Sequence, residues 1–131
     1  MTAYSIIYNP EGDVATVLFQ EKFVSETILP AILELKRSPR YGDTVGVLWD
    51  LRQADLSYLT ASTLREVFRS KNAMQPNRQL RVACLVSDEI DTHILRLWAE
   101  GFDDDMPNIR RWFLDRDAAM AWLRTGHSPA A

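Results

Sequence analysis

Five short apolar runs, four of them separated by segments of helical period, constrain this chain more than any other feature of it. The runs are Ser5 to Asn9, Val14 to Phe19, Val45 to Trp49, Val82 to Val86 and Ile109 to Leu114. Each is of strand length and rich in β-branched and aromatic residues, as strands prefer. Only the turn Asn9-Pro10-Glu11-Gly12-Asp13 separates the first two. Pro presets one turn dihedral and Gly supplies a positive one, so the spacing predicts an antiparallel hairpin.

After the hairpin the period changes. Val24, Ile28, Ala31, Ile32 and Leu35 recur at helical spacing, with Glu26, Thr27, Glu34 and Lys36 off that face. Pro30 fits a helix capped near Thr27, because first-turn N–H groups lack intrahelical partners, and Ser38-Pro39 ends the element. A second helix is expected from a cap at Thr60 or Ser62 to about Gln75, with Ala61, Leu64, Val67, Phe68 and Met74 inward. A third is expected after Ser87 and Asp88, carrying Ile90, Ile94, Leu97 and Trp98 and closing at Gly101. A fourth is capped by Asp115 and buries Ala118, Ala119, Trp122 and Leu123.

The near-continuous apolar third and fourth runs are those of strands covered on both faces. Arg110 and Arg111 in the last run suit an edge strand, where charge discourages pairing with another chain. The order is β-β-α-β-α-β-α-β-α: one α/β domain over residues 1–124, with a five-stranded mixed, mainly parallel sheet and four helices. Residues 125–131 form a small polar tail.

Of 131 residues, 15 are basic and 18 acidic, a net charge of -3. Residues 1–65 hold 6 bases and 8 acids, and residues 66–131 hold 9 and 10. Neither half carries the basic excess of a nucleic-acid protein. No window approaches the ~20 apolar residues of a membrane span. The single cysteine, Cys84, permits no internal disulfide, and its place in an apolar run makes it a core thiol. With no leader-like N-terminus, a cytoplasmic protein is expected.

Ligands of open α/β sheets bind beyond the strand carboxyl ends. Asp50 and Arg52 follow the third strand, Ser87 and Asp88 the fourth, and Asp115 the fifth; the loop Gln53 to Thr60 shares that rim. Ser87, Asp88 and Asp115 also read as helix caps, and Asp50 and Arg52 as partners of each other. Two carboxylates on a rim could act as acid and base, but nothing in the chain sets their separation. His93 and His127 do not make a zinc site with Cys84, the Asp103 to Asp105 run lacks the spacing of a calcium loop, and the scattered glycines form no phosphate loop. No metal or other cofactor is expected.

The run Gly46-Val-Leu-Trp-Asp50-Leu-Arg52, a polar loop, and Thr60-Ala-Ser62-Thr-Leu64 together resemble the SpoIIAA-like, or STAS, family of anti-sigma-factor antagonists and sulphate-transporter domains. Val82 to Asp88 and Phe113 to Leu123 match its uncharacterised bacterial branch. The resemblance implies a SpoIIAA-like fold and a non-enzymatic regulatory module that binds a protein partner. In the antagonists a serine at the start of the helix after the third strand is phosphorylated by a partner kinase. Here Thr60, Ser62 and Thr63 stand at the matching place, although the Asp and both glycines of that motif are absent and the loop is longer.

The expected ligand or partner surface is Asp50, Arg52, Tyr58, Thr60, Ser87 and Asp88. The second reading is a small apolar-ligand (lipid or metabolite) binding protein or minor enzyme using the same rim, with Tyr58, Trp98 and Trp112 beside Asp50 and Arg52. Four Trp and four Tyr in so short a chain also predict an exposed aromatic patch and a homodimer.

Overall fold

The computed structural model describes residues 3–60, 62, 63, 66, 69, 80–87 and 109–126, with 109 and 110 described by backbone alone. Five strands are seen: β1 (Tyr4–Tyr8), β2 (Val14–Phe19), β3 (Gly46–Asp50), β4 (Arg81–Leu85) and β5 (Ile109–Phe113). They form one sheet in the order β1-β2-β3-β4-β5. β1 and β2 are antiparallel and every other pair is parallel. The mixed α/β architecture is therefore as the sequence predicts, and among the described residues β5 lies at an edge.

The hairpin forms because the turn supplies its own hydrogen bonds. Gly12 adopts φ 74°, and its N–H donates to the Asn9 carbonyl at 2.9 Å. The Asn9 side chain accepts from the Val14 N–H at 3.1 Å and donates to Asp13.

Two α-helices are described in full, α1 (Ser25–Arg37) and α2 (Arg116–Thr125), against the four expected. The third expected helix lies outside the described residues, and of the second only Ser62, Thr63, Glu66 and Arg69 are described, all helical. Helix α1 starts earlier than the cap chemistry of Thr27 suggests. Val24 is the cap residue, and Thr27 reaches back from the third helical position, its Oγ1 accepting from the Val24 N–H at 3.3 Å. Pro30 is therefore well inside the helix, exposed, and its missing N–H withdraws the donor for the Glu26 carbonyl. Ser38 closes the helix as expected, its N–H donating to Leu35 at 3.1 Å.

Strand alternation sorts the core into two layers. On one face Ala15, Val17, Phe19, Val47, Trp49, Val82 and Cys84 pack against Ile28, Ala31, Ile32 and Leu35 of α1. Phe19, Phe23 and Trp49 form an aromatic knot there, with Phe19–Phe23 edge-on at 5.0 Å. On the other face Val14, Leu48, Ala83, Leu85 and Phe113 meet Ala119, Met120, Trp122 and Leu123 of α2. Each fully buried side chain of this size contributes about 1.5–3 kcal/mol of transfer free energy. Every residue of β3 is buried, as its apolar run predicts for a strand covered on both sides.

Asp115 caps α2, its carboxylate accepting from the Ala118 N–H at 2.9 Å. Gly126 closes the helix at φ 80°, donating to the Trp122 carbonyl at 2.7 Å. Lys36 departs from the expected pattern. Although charged, it is buried beside Ile32, Leu35, Tyr41 and Trp49. The spacing 28, 32, 36 is itself helical, and only the charge argued for the outside.

Candidate functional site

The parallel strands bring their carboxyl ends to one rim. Two backbone bonds extend the ladder past the strands, Leu51 N–H to Leu85 at 2.9 Å and Val86 N–H to Phe113 at 3.0 Å. This pins the start of each loop before any side chain acts.

Asp50, the last residue of β3, is buried. Arg52 turns back on it, Nη2 donating to Oδ2 at 2.8 Å and Nε to Oδ1 at 3.0 Å. The Arg52 N–H also donates to Oδ1, at 3.2 Å. The two side chains are unequally placed, with 9% of the Asp50 side chain exposed against 44% of the Arg52 side chain. The bond to Asp50 raises the Arg52 pKa further above its ordinary value. The pair thus presents a fixed guanidinium to solvent on a two-point carboxylate anchor.

The following loop is tied to the segment after β2. The Asp55 N–H donates to Glu21 and the Phe23 N–H to Asp55, both at 3.0 Å. The Asp55 carboxylate accepts from the Ser57 N–H at 3.0 Å and from its hydroxyl at 2.6 Å. Those bonds lower the Asp55 pKa and start the 3₁₀ turn Leu56–Tyr58. Leu51, Ala54, Leu56 and Leu59 face the α1-side core, so the loop's apolar side is anchored and its polar side looks outward. Tyr58 remains 47% exposed, with Lys22 Nζ 4.9 Å from its ring centroid.

Thr60 caps the next helix. Its Oγ1 accepts from the Thr63 N–H at 3.1 Å and lies 3.0 Å from the Thr63 hydroxyl. Ser62 is exposed in that first turn. Of the residues singled out from the sequence, Asp50 and Arg52 are brought into direct contact, as are Thr60 and Thr63. Ser87 is half-buried just past β4. Asp88, Trp98, His93, His127 and the Asp103 to Asp105 run lie outside the described residues. Trp112 packs half-buried against the α1-side core.

Among the described residues, no group of three His, Cys, Asp or Glu side chains comes together, and no helix is long and apolar enough to cross a membrane. Cys84 is buried and unbridged.

A feature that motif reading missed lies away from the rim. Between β1 and α1 runs an open groove of about 580 Å³, lined by Tyr4, Ile6, Tyr8, Leu33, Glu34 and Arg37 among others. None of the rim residues lines it. The Tyr4 hydroxyl donates to Glu34 Oε1 at 3.0 Å. Burial, then the hydrogen bond and the charge of Glu34, raise the Tyr4 pKa. At the other end Arg40 stacks on the Tyr8 ring at 4.4 Å. The alternation Tyr4-x-Ile6-x-Tyr8 is the signal that places these side chains on one face of β1.

No protein-family model and no curated protein matches the chain. Among solved structures it is similar to an uncharacterised protein of the DUF3478 family with a SpoIIAA-like fold, from Shewanella loihica. The likeness covers 92% of each chain at a TM-score of 0.55 and 19% identity. The fold of this chain is therefore SpoIIAA-like, as the Gly46 to Arg52 and Thr60 to Leu64 segments imply.

Proposed function

We propose that this chain is a non-enzymatic regulatory module of the cytoplasm that docks a protein partner on the strand-end rim formed by Asp50, Arg52, Tyr58, Thr60, Ser87 and Asp88. One observation carries the reading. Arg52 and Tyr58 are both held exposed on a loop whose backbone is tied to Glu21 and Phe23. Arg and Tyr are the side chains that most often anchor protein interfaces, and a pinned loop presents them at little ordering cost.

Ser62 gives that surface a switch. It is exposed in the first turn of a helix capped by Thr60. A phosphate there is favoured by the helix N-terminus, while its charge changes the face a partner meets.

The test compares proteins retained from the native host's extract on immobilised wild-type chain, Tyr58→Ala, Ser62→Asp and Asp43→Ala. Asp43 precedes β3, at the opposite end of the sheet. A protein retained by wild type and Asp43→Ala but lost from Tyr58→Ala and Ser62→Asp supports the reading. Equal retention by all four, or none by wild type, overturns it.

A further inference from the structure

The two edges of the sheet differ. β5 carries consecutive arginines, whereas β1, Tyr4-Ser5-Ile6-Ile7-Tyr8, has no charge and no proline. Among the described residues, no strand pairs with the outer side of β1. An unguarded edge of this kind is a template for another strand.

The pairing with β2 shows which backbone groups are offered. The Gln20 N–H donates to Ala3 at 3.0 Å and the Asn9 N–H to Val14 at 3.1 Å. With Tyr4 opposite Phe19 and Tyr8 opposite Ala15, hydrogen-bonded pairs alternate along the ladder. The odd-numbered residues therefore turn their backbone groups to β2, and Tyr4, Ile6 and Tyr8 turn theirs outward.

The segment is also nearly palindromic about Ile6. Reversed, it reads Tyr-Ile-Ile-Ser-Tyr. A second copy run antiparallel places Tyr4 opposite Tyr8, Ile6 opposite Ile6 and Tyr8 opposite Tyr4. In that register outward-facing backbone groups meet outward-facing groups throughout.

Charge follows the same symmetry. Glu34 sits at the Tyr4 end, bonded to its hydroxyl, and Arg40 sits at the Tyr8 end, stacked on its ring. A two-fold axis at Ile6 brings the acidic end of one copy to the basic end of the other, twice. On the opposite face Ile7, 54% exposed, falls against Ser5 of the second copy.

We propose that two copies of this chain pair through their β1 edges, antiparallel about a two-fold axis at Ile6, to make one continuous sheet flanked by the two β1–α1 grooves. The interface is isologous, so it closes at a dimer. It leaves the strand-end rim uninvolved and is independent of the docking role proposed for that rim.

The test is the solution mass of the full chain by light scattering at about 100 µM, well above a micromolar dissociation constant. Wild type is expected to be a dimer, and a monomer overturns the proposal. Ile6→Pro removes an outward N–H and keeps the bonds to β2, while also trimming a side chain packed against the α1-side core, and it is expected to weaken dimerisation at least about tenfold, some 1.4 kcal/mol. Ile6→Cys provides a check that does not depend on how the proline variant folds. Cα atoms of a hydrogen-bonded antiparallel pair lie about 5.5 Å apart, within disulfide reach. Mild oxidation is expected to give a covalent dimer from Ile6→Cys and none from wild type, whose only thiol is buried. A wild-type dimer whose Ile6→Cys variant does not cross-link overturns the proposal, because the copies then meet elsewhere.

Discussion

Arg52 grips Asp50 at two points, Nη2 to Oδ2 at 2.8 Å and Nε to Oδ1 at 3.0 Å, and the same Oδ1 also accepts the Arg52 backbone N–H. A buried carboxylate thus ends β3 and sets the first bend of the rim loop. The cost of breaking the pair depends on which member is removed.

Arg52→Ala leaves the Asp50 carboxylate buried with only the backbone donor. It is expected to cost about 1–2 kcal/mol, reduced from the cost of a fully buried pair because the guanidinium reaches solvent. Asp50→Asn keeps an acceptor for the backbone N–H and leaves unpaired a partner that reaches solvent, so it is expected to cost less. Urea unfolding of both variants measures the order, and an Asp50→Asn variant less stable than Arg52→Ala would contradict this account.

Gly46 begins β3 against α2. A Cβ there would lie 2.7 Å from Leu123 Cδ2 and 3.2 Å from the Arg81 carbonyl oxygen. Leu123 is buried and the carbonyl belongs to the neighbouring strand, so neither yields freely. Gly46→Ala is expected to destabilise by about 1–3 kcal/mol through overpacking, read as a lower melting temperature. Gly42→Ala, whose Cβ meets nothing within 4 Å, is the matched control and is expected to change little.

Thr60 caps the helix start, whereas Ser62 stands exposed in the same turn. Thr60→Ala removes the acceptor for the Thr63 N–H and is expected to cost about 1 kcal/mol, with Thr60→Ser near wild type. Ser62→Ala is expected to leave the unfolding midpoint within about 0.5 kcal/mol of wild type, as for other exposed positions. Denaturant midpoints of the three variants decide it.

Burial lowers the Lys36 pKa below the ordinary lysine value. Between that depressed value and the unfolded one, the unfolded chain binds more protons than the native chain, so stability rises with pH across the interval. Lys36→Met is expected to abolish that rise. Melting temperatures from about pH 7 to about pH 10.5, the free-lysine range, measure the effect. A wild-type curve that falls steadily with pH while Lys36→Met rises would refute it.

Local chemistry made most of the framework legible. The β1–β2 turn is built from Asn9 and Gly12 side-chain and dihedral preferences, and the caps at Thr60 and Asp115 use short-range hydrogen bonds. Such features depend on residues a few positions apart. Where sequence reading failed, two local rules competed. Thr27 has cap chemistry but applies it from the third helical position. Lys36 obeys the helical period and defies the expectation that charge lies outside.

The sequence by itself determined the five strands in their order, the antiparallel hairpin, the caps at Thr60 and Asp115 and the pairing of Asp50 with Arg52, because each follows from residues close along the chain. Tertiary structure alone decided that β1 ends the sheet among the described residues, how the rim loop is tied to Glu21 and Phe23, and that Tyr4 meets Glu34 while Tyr8 meets Arg40. Those relationships join residues about thirty positions apart (Tyr4 and Glu34, Tyr8 and Arg40, Phe23 and Asp55). No local propensity encodes them. They arise when burial of the two core layers brings distant segments together.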